Sequence, residues 1–437
     1  MGLPRYRARQ MLGWVYNHGA ASFATMDGFT PRLKEQLEAR FEIGTGRTLD
    51  MQVAADHTRK MLIGFPSAKS KLVVPPASNV TAGDPGAAGS TPPAPSPAPL
   101  LDQIETVYIP MGPASSWSSP SEGAVCVSSQ VGCSLACTFC HTGTMDKRKL
   151  RNLTAAEIVN QVMMVQRAMG DFGPINPTND RLAHPSAAAA PVPPGRRAVT
   201  NIVFMGMGEP LYNFRHVSRA LHVLTSSSAG EAGVGGGFGL GFGRGRITLS
   251  TSGVVPGIDA LLHEFGGGIN LAISLHAASD ALRDEIVPIN RTWPLRTLMD
   301  AVRRYQDGRK TVDAQDDGAA TSDPSLNSFA PLSLAGRKRV TFEYVMLRGV
   351  NDSLSEALAL SRLLDGIVSL VNLIPFNPWE GSEYTSSEPA HIVAFAEELR
   401  RLGVPTTIRW PRGREIQGAC GQLAVKHATA AALGAIA

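Results

Sequence analysis

The sequence predicts an α/β fold, an incomplete (βα)6 barrel with a small N-terminal helical accessory domain and low-complexity insertions. From residue 101 onward, short apolar runs typical of buried strands alternate with longer segments whose apolar residues recur at helical spacing. Such alternation favours a parallel sheet. From Ala124 the pattern gives six βα units, which suits an incomplete barrel better than a closed eight-fold one.

The first 65 residues are expected to form the accessory domain. Helical spacing at 11–16, a helix-start signal at Thr30 and an apolar, strand-like run at 61–65 support this expectation. Residues 66–100 form a Pro/Ala/Ser/Gly tract that we interpret as a disordered linker. The remaining divisions are a core at 101–425, a C-terminal tail at 426–437, and insertions within the core at 172–198, 226–245 and 308–337.

The elements of the core follow in order. Strands are predicted at 104–109, 124–129, 201–205, 246–251, 270–275, 340–346, 371–375 and 406–410. Helices are predicted near 158–169, 215–225, 256–265, 295–306, 353–365 and 388–402. In folds of this kind, the functional site forms at the carboxyl ends of the strands. The polar and glycine-rich motifs of this chain fall at those positions.

Composition limits the function classes. The chain has 437 residues, 43% of them hydrophobic, which suits one large globular domain and a small one. The net charge of +4 permits a nucleic-acid partner without requiring one. Five cysteines, four of them between residues 126 and 140, do not make a secreted disulfide framework. No apolar run reaches transmembrane length, and residues 1–9 lack the apolar core of a signal peptide.

Cys133, Cys137 and Cys140 carry the most specific signal. A turn with C-x3-C-x2-C spacing can aim three thiolates at one point, and thiolates favour iron–sulfur clusters or zinc. An electron-transfer [4Fe–4S] cluster takes four thiolates, so three leave one iron open. The spacing resembles the signature of radical S-adenosylmethionine (SAM) enzymes, in which the open iron chelates SAM. The alternatives are a zinc site completed by His141, or chance clustering.

A glycine-rich turn, Gly206-Met-Gly208-Glu209-Pro210, follows the next predicted strand. Glycine lets a backbone approach a ligand closely, and the Glu209 carboxylate can accept hydrogen bonds from an ammonium group. A βα turn with a helix-capping glutamate is the alternative.

Polar residues also end later strands. Ser250 and Ser274 could orient the ribose or carboxylate of SAM, or satisfy the local backbone. His276 could be a ligand or a histidine satisfied within the fold. Asn377 could bond a base edge or initiate a turn before Pro378.

Two cysteines remain outside the motif. Cys126 lies within a predicted strand, and a buried, inert thiol is the usual interpretation of such a residue. Cys420 lies on an apparent loop between small residues, which suits a reactive, accessible sulfur. Two thiols beside a SAM cluster indicate covalent sulfur chemistry rather than simple hydrogen abstraction.

Taken together, the chain resembles the RlmN-type dual-specificity RNA adenine-C2 methyltransferases of the radical SAM superfamily. The resemblance covers 1–65 loosely and 101–425 closely, apart from the insertions, which are not family features. The matching segments are 104–110, 126–140, 151–153, 206–211, 249–256, 273–277, 283–290, 342–346 and 419–423. A further departure is Trp410-Pro411, where many relatives carry polar residues, and this puts local RNA contacts in doubt.

The resemblance implies a [4Fe–4S] radical SAM barrel and a cycle that uses two SAM molecules. Cys420 would take a methyl group from the first SAM, and the second, bound to the cluster cysteines, would give a 5′-deoxyadenosyl radical that removes hydrogen from that methyl group. The methylene radical would add to adenine C2. Glu105 would then remove the C2 proton, and Cys126 would attack Cys420, releasing the product and leaving a disulfide. By family match, SAM would contact Gly208, Glu209, Ser250, Ser274, Leu275, His276 and Asn377.

The implied substrates are large-subunit ribosomal RNA and, as a second candidate, tRNA, with a reductant protein supplying electrons. We expect a cytoplasmic monomer without membrane contact, or alternatively a protein of the matrix or stroma of a ribosome-bearing organelle. Candidate phosphate contacts are Arg5, Arg7, Arg9, Lys34, Lys147, Arg148, Lys149, Arg151, Arg337, Lys338 and Arg339, although such runs are often solvated faces. The rival hypotheses are an adenine-C8 methyltransferase, which these motifs do not separate, and a non-catalytic RNA-binding factor, which the presence of all five cysteines and Glu105 disfavours.

Overall fold

The computed structural model describes residues 4–44, 46–67, 101–111, 122–172, 197–226, 239–309 and 338–423. The predicted linker lies outside the described residues except for its first two positions, and so does the predicted tail. Residues 173–196, 227–238 and 310–337 of the predicted insertions also lie outside them, and Arg337 with them.

The described strands and helices alternate as expected. The strands are β1 (Arg47–Val53), β2 (Arg59–Pro66), β3 (Leu101–Pro110), β4 (Gly123–Cys126), β5 (Gln130–Val131), β6 (Arg151–Asn152), β7 (Val199–Phe204), β8 (Ile247–Thr251), β9 (Asn270–Ser274), β10 (Val340–Met346), β11 (Ser369–Pro375) and β12 (Thr406–Ile408). The α-helices are α1 (Arg5–His18), α2 (Pro31–Glu38), α3 (Ala155–Met169), α4 (Phe214–Thr225), α5 (Val255–Phe265), α6 (Asp280–Ile286), α7 (Leu295–Arg309), α8 (Leu354–Leu363) and α9 (Pro389–Arg401).

Ten of these strands form one sheet in the order β1-β2-β3-β4-β7-β8-β9-β10-β11-β12. From β4 to β12 every neighbouring pair is parallel, whereas β1 to β4 pair antiparallel. In the described part of the chain, β1 and β12 do not pair with each other, so the barrel stays open. The incomplete α/β barrel predicted from the sequence is confirmed.

Burial explains why these segments take these forms. Strands such as β10 are buried along nearly their whole length, as expected for parallel strands covered on both faces. Helix α4 buries Val217, Ala220, Leu221 and Leu224, the i, i+3, i+4, i+7 spacing of a helix with one apolar face. Helix α3 begins with a capping box, in which Thr154 and Glu157 each bond the other's backbone N–H.

The N-terminal region differs from the expected helical domain. Helices α1 and α2 surround a small core of their own that includes Phe23, Met26 and Leu37. Strands β1 and β2, however, form a hairpin that joins the main sheet through β3. Polar and half-exposed β1 has no clear apolar alternation, and for that reason the sequence did not reveal it. The division into domains stays a prediction, because the sheet runs on across residue 65.

Arg283, on the short helix α6 that the sequence analysis missed, ties two strand ends together. The side chain is fully buried. Its guanidinium donates to the carbonyl oxygens of Leu275 at 2.9 Å, Ser252 at 2.7 Å and Ser274 at 3.1 Å. It also donates to Asn290 Oδ1 at 2.9 Å. The segments that follow β8 and β9 are therefore fixed by one cation.

Replacing Arg283 with Met should lower the free energy of unfolding by roughly 3 kcal/mol or more, because several buried carbonyls lose their donor. Urea denaturation followed by circular dichroism measures this. Arg304→Met is the matched control. It removes an exposed ion pair with Asp259, for which a loss of at most about 1 kcal/mol is expected. Equal shifts of the two midpoints would contradict the role given to Arg283.

Candidate active site

A cavity of about 990 Å³, part of it open to solvent, lies at the carboxyl ends of the parallel strands. The cysteine loop, the glycine-rich turn, the ends of β8 to β11 and the Cys420 segment surround it. The predicted site residues that line it are Cys133, Cys137, Cys140, Gly208, Glu209, Ser250, Ser274, His276, Asn377 and Cys420. Chain folding thus brings together residues that lie up to 287 positions apart.

The three cysteines of the loop all face this cavity. Burial raises the pKa of Cys133 to about 12 and also raises the pKa of Cys137 and Cys140. A group bound by their thiolates would therefore displace protons. His141 stacks on Trp379 with ring centroids 4.6 Å apart, which disfavours it as a zinc ligand.

No group of three or more His, Cys, Asp and Glu side chains among the described residues is arranged to hold a single metal ion. The sulfurs share a large cavity instead. That arrangement suits a ligand bigger than one ion.

The glycine-rich turn packs closely against Gln130 on β5. Gly208 has φ of +96°, and a Cβ there would lie 2.6 Å from Gln130 Cβ. Both facts require glycine at this position. Glu209 accepts hydrogen bonds from the N–H groups of Leu211 at 3.0 Å and Ser252 at 2.9 Å. Burial raises the pKa of Glu209 to about 7 despite these bonds. Its carboxylate therefore stabilises the turn through these hydrogen bonds and also lines the cavity.

Ser250 and Ser274 end adjacent strands, and their hydroxyl oxygens lie 3.3 Å apart. His276 follows with φ of +64°, an uncommon backbone conformation for a residue with a side chain. Its Nδ1 accepts a hydrogen bond from Val345 N–H at 3.1 Å, and burial lowers its pKa to about 3. The imidazole is therefore neutral at physiological pH.

Cys420 reaches the cavity because its segment is bonded to the cysteine loop. His141 N–H donates to Gly421 O at 2.9 Å, and the Thr142 hydroxyl donates to Leu423 O at 2.5 Å. Asn377 Nδ2 donates to Cys420 O at 3.4 Å. These contacts join the C-terminal segment to the loop that carries Cys140.

Cys126 lies deeper, on β4, and is buried. Burial raises its pKa to about 12; the nearby Cys420 thiol raises it further, whereas Arg409 lowers it. Cys420, then Glu343 and Cys126, in turn raise the pKa of Arg409. The two thiols and this cation share one electrostatic environment. All five cysteines are free thiols, so a Cys126–Cys420 disulfide is a proposal about the reaction.

Glu105 does not line the cavity. Its Oε1 lies 3.1 Å from Lys60 Nζ, and the two side chains are 7% and 11% exposed. Its strand is next to that of Cys126, whose carbonyl accepts from the Thr106 hydroxyl at 2.7 Å.

Leu275 also does not line the cavity. Its backbone N–H donates to Glu343 O at 3.0 Å, and its carbonyl accepts from Arg283.

Sequence analysis missed three charged residues of this region: Lys60, Glu343 and Arg409. Glu343 interrupts the apolar run of β10, and a charge in a buried strand was the signal available. Lys60 and Arg409 gave no signal, since lysine and arginine at strand ends are common on surfaces.

Of the candidate phosphate contacts, Arg151 already binds carboxylates of the protein itself. It forms ion pairs with Asp102 at 2.5 Å and Glu157 at 2.7 Å. Phosphate binding by Arg151 is therefore not favoured. Arg148 pairs with Asp146 but is 89% exposed. Lys147 and Lys149, its neighbours, are also exposed.

The cavity fits a cluster and a polar ligand such as SAM. Three soft ligands face it without a fourth cysteine in the loop. Asn377 Oδ1 and Glu343 Oε2 border it as buried acceptors that have no hydrogen-bond partner among the described residues. Buried acceptors of this kind are normally satisfied, so a bound donor would complete the site.

Comparison with known proteins gives consistent matches. Residues 1–43 match the family described as "Ribosomal RNA large subunit methyltransferase N-terminal domain". The protein named "Dual-specificity RNA methyltransferase RlmN" from Chelativorans sp. is 42% identical over 417 residues, 95% of this chain and 81% of the relative. Its counterpart from Xanthobacter autotrophicus is 41% identical over 419 residues, 96% and 81% of the two chains.

Among solved structures, a radical SAM methyltransferase from Sphaerobacter thermophilus is similar, with a TM-score of 0.70 and 32% identity. The match covers 97% of this chain and 94% of the other.

Replacing Cys133, Cys137 or Cys140 with Ala should abolish iron and sulfide binding, because no other described cysteine except Cys420 faces the cavity. Anaerobic reconstitution, iron and sulfide analysis and visible absorbance measure this. Cys126→Ala and Cys420→Ala are matched controls and should retain the full content. Full iron and sulfide in any of the first three variants would contradict the assignment.

Proposed function

Because the chain belongs to the RlmN family of dual-specificity RNA methyltransferases, we propose that it methylates C2 of an adenine in large-subunit ribosomal RNA, with tRNA as a second substrate. The observation that carries this proposal is the position of Cys420 on the same cavity as Cys133, Cys137 and Cys140. A methyl group held on Cys420 would face whatever the three thiolates bind.

The chemistry of the target carbon explains this arrangement. Adenine C2 is electron-poor and not a nucleophile, so direct displacement on SAM does not methylate it. When bound, a [4Fe–4S] cluster on the three cysteines would supply the electron that cleaves SAM to a 5′-deoxyadenosyl radical. The residues that would hold SAM are Gly208, Glu209, Ser250, Ser274, Leu275, His276 and Asn377, of which all but Leu275 line the cavity.

Cys420 would carry the methyl group as a thioether. Its segment is bonded to the cysteine loop and to Asn377, so the sulfur stays beside the ligand. The Arg409 guanidinium lies close enough to Cys420 for the two groups to interact electrostatically.

Glu105 and Cys126 would resolve the adduct between Cys420 and the base. Glu105, whose Oε1 lies 3.1 Å from Lys60 Nζ, would accept the C2 proton. The adduct radical would lose its unpaired electron to the cluster that the three cysteines would hold. Cys126 would then form a sulfur–sulfur bond to Cys420, and the electron pair of the broken Cys420–carbon bond would stay on the product carbon, which takes up a proton to complete the methyl group. The reductant protein would afterwards reduce the disulfide. Because burial holds Cys126 as a thiol, it must lose its proton first, and Arg409 favours that loss. Glu105 lies off the cavity wall, so it has to move toward the base.

The substrate base has to leave its stack or lie in a single-stranded loop to reach this cavity. A reductant protein would supply the electrons. Among the described residues there is no helix long and apolar enough to cross a membrane. We propose a reducing compartment, the cytoplasm, as the place of action, because free thiols and a cluster require one.

The two cysteines outside the loop should fail differently when replaced. Cys420→Ala should form no RNA adduct, because no methyl group is held. Cys126→Ala should methylate Cys420, attack the base and stall with protein covalently joined to RNA. A denaturing gel with labelled RNA separates the outcomes. The double variant, as control, should show no shifted band.

Released methylated RNA from Cys126→Ala without a shifted band would show that Cys126 is only a buried strand residue. Nucleoside mass spectrometry of the wild-type product tests the position of the methyl group. We expect 2-methyladenosine; 8-methyladenosine would replace the proposed activity with its C8 counterpart, and no modified base would favour a non-catalytic role.

A further inference from the structure

Glu343 is a buried carboxylate that the proposed cycle does not use. It lies in the middle of β10, is 4% exposed, and lines the cavity between Ser274 and Ile374. The other side chains of this strand are mostly apolar. A carboxylate in such a place is costly unless something compensates for its lost hydration.

One carboxylate oxygen of Glu343 is fixed by the protein. Asn372, its register partner on β11, donates from Nδ2 to Glu343 Oε1 at 3.1 Å. The Thr407 hydroxyl on β12 donates in turn to Asn372 Oδ1. This chain of two hydrogen bonds across three strands holds the carboxylate in one orientation.

The second oxygen, Oε2, is buried and has no hydrogen-bond partner among the residues that the structure describes. Leaving a buried acceptor unsatisfied costs about 1–3 kcal/mol, and more for a charged group. Since the side chain lines the cavity, a donor on a bound molecule can reach the acceptor. The site is built for a ligand hydroxyl or amino group.

The residues beside Glu343 indicate which ligand would reach its carboxylate. Glu343 is the register partner of Ser274 on β9, and the Ser274 hydroxyl lies 3.3 Å from that of Ser250 on β8. The three residues form a polar row across adjacent strands. Ser250 and Ser274 are two of the residues proposed to hold SAM, so Glu343 borders the part of the cavity assigned to that ligand.

We propose that Glu343 Oε2 accepts a hydrogen bond from a ribose hydroxyl of SAM. The proposal rests on the proposed function, because it places SAM in this cavity. The ribose is the part of SAM that carries two adjacent hydroxyl donors, and carboxylates recognise such hydroxyls in other nucleotide sites. Burial raises the pKa of Glu343, and Arg409 counters that shift, so the cation supports the acceptor form.

The test measures how tightly each protein variant binds a ligand with and without each ribose hydroxyl. Wild type, Glu343→Gln and Glu343→Leu are reconstituted anaerobically. Equilibrium dialysis then measures the Kd of S-adenosylhomocysteine and of its 2′-deoxy and 3′-deoxy analogues. Glu397→Gln, an exposed glutamate on α9, is the matched control and should bind as wild type. Iron content and circular dichroism establish that each variant is folded and loaded.

We expect wild type to bind one deoxy analogue roughly ten- to hundredfold more weakly, the range of a hydrogen bond to a charged group. Glu343→Leu should lose a similar factor for the parent ligand and show no further loss for that analogue. Glu343→Gln should lose less, because it keeps the bond to Asn372 and a polar atom toward the ligand.

Two results would overturn the inference: variants that bind the parent ligand as tightly as wild type, or a hydroxyl effect that persists in Glu343→Leu. Unchanged ligand binding with a raised KM for RNA would assign Glu343 to the base and also overturn it. Failure of the proposed function is distinguishable, because the wild-type RNA product would then lack 2-methyladenosine, whereas the binding measurements report on Glu343 alone.

Discussion

The hydrogen bonds between residues 421–423 and the cysteine loop are the constraint on which the site depends. His141 and Thr142 donate to this segment from one side, and Gln422 Nε2 donates to Pro378 O at 2.9 Å on the other. Together they join this segment to the loop after β4 and to the segment after β11, and so place Cys420 on the cavity. The parallel sheet brings the strand ends to one rim, and these contacts add the last thiol.

Burial of titratable side chains is the second physical constraint on the site. Desolvation holds the imidazole of His276 neutral and raises the pKa of Glu209. It also raises the pKa of Cys126, Cys133, Cys137 and Cys140. Two cations act on these groups: Arg283 counters the raised pKa of Cys137 and lowers that of His276 further, and Arg409 counters the raised pKa of Cys126 and Glu343. One ties strand ends through backbone carbonyls, and the other lies among Cys126, Cys420 and Glu343. In a low-dielectric site such groups act over longer distances than in water.

Much of this organisation could be predicted from the sequence, because buried parallel strands and amphipathic helices leave strong periodic patterns. The cysteine spacing and the glycine-rich turn could also be recognised, because each is a pattern of residues that lie close together in the sequence. The hairpin strand β1 could not be predicted, since it is half-exposed and its stability comes from pairing with β2. The pairing of Lys60 with Glu105 depends on sheet register, which no local pattern specifies.

The central claim is that the methyl group passes through Cys420 and loses one hydrogen there before it reaches the base. SAM carrying a fully deuterated methyl group tests this directly over many turnovers, with mass spectrometry of the methylated adenosine. The account predicts a product methyl group with two deuterium atoms, because one deuterium leaves with 5′-deoxyadenosine and is replaced by hydrogen. A product that retains all three deuterium atoms would show direct transfer and would contradict the account.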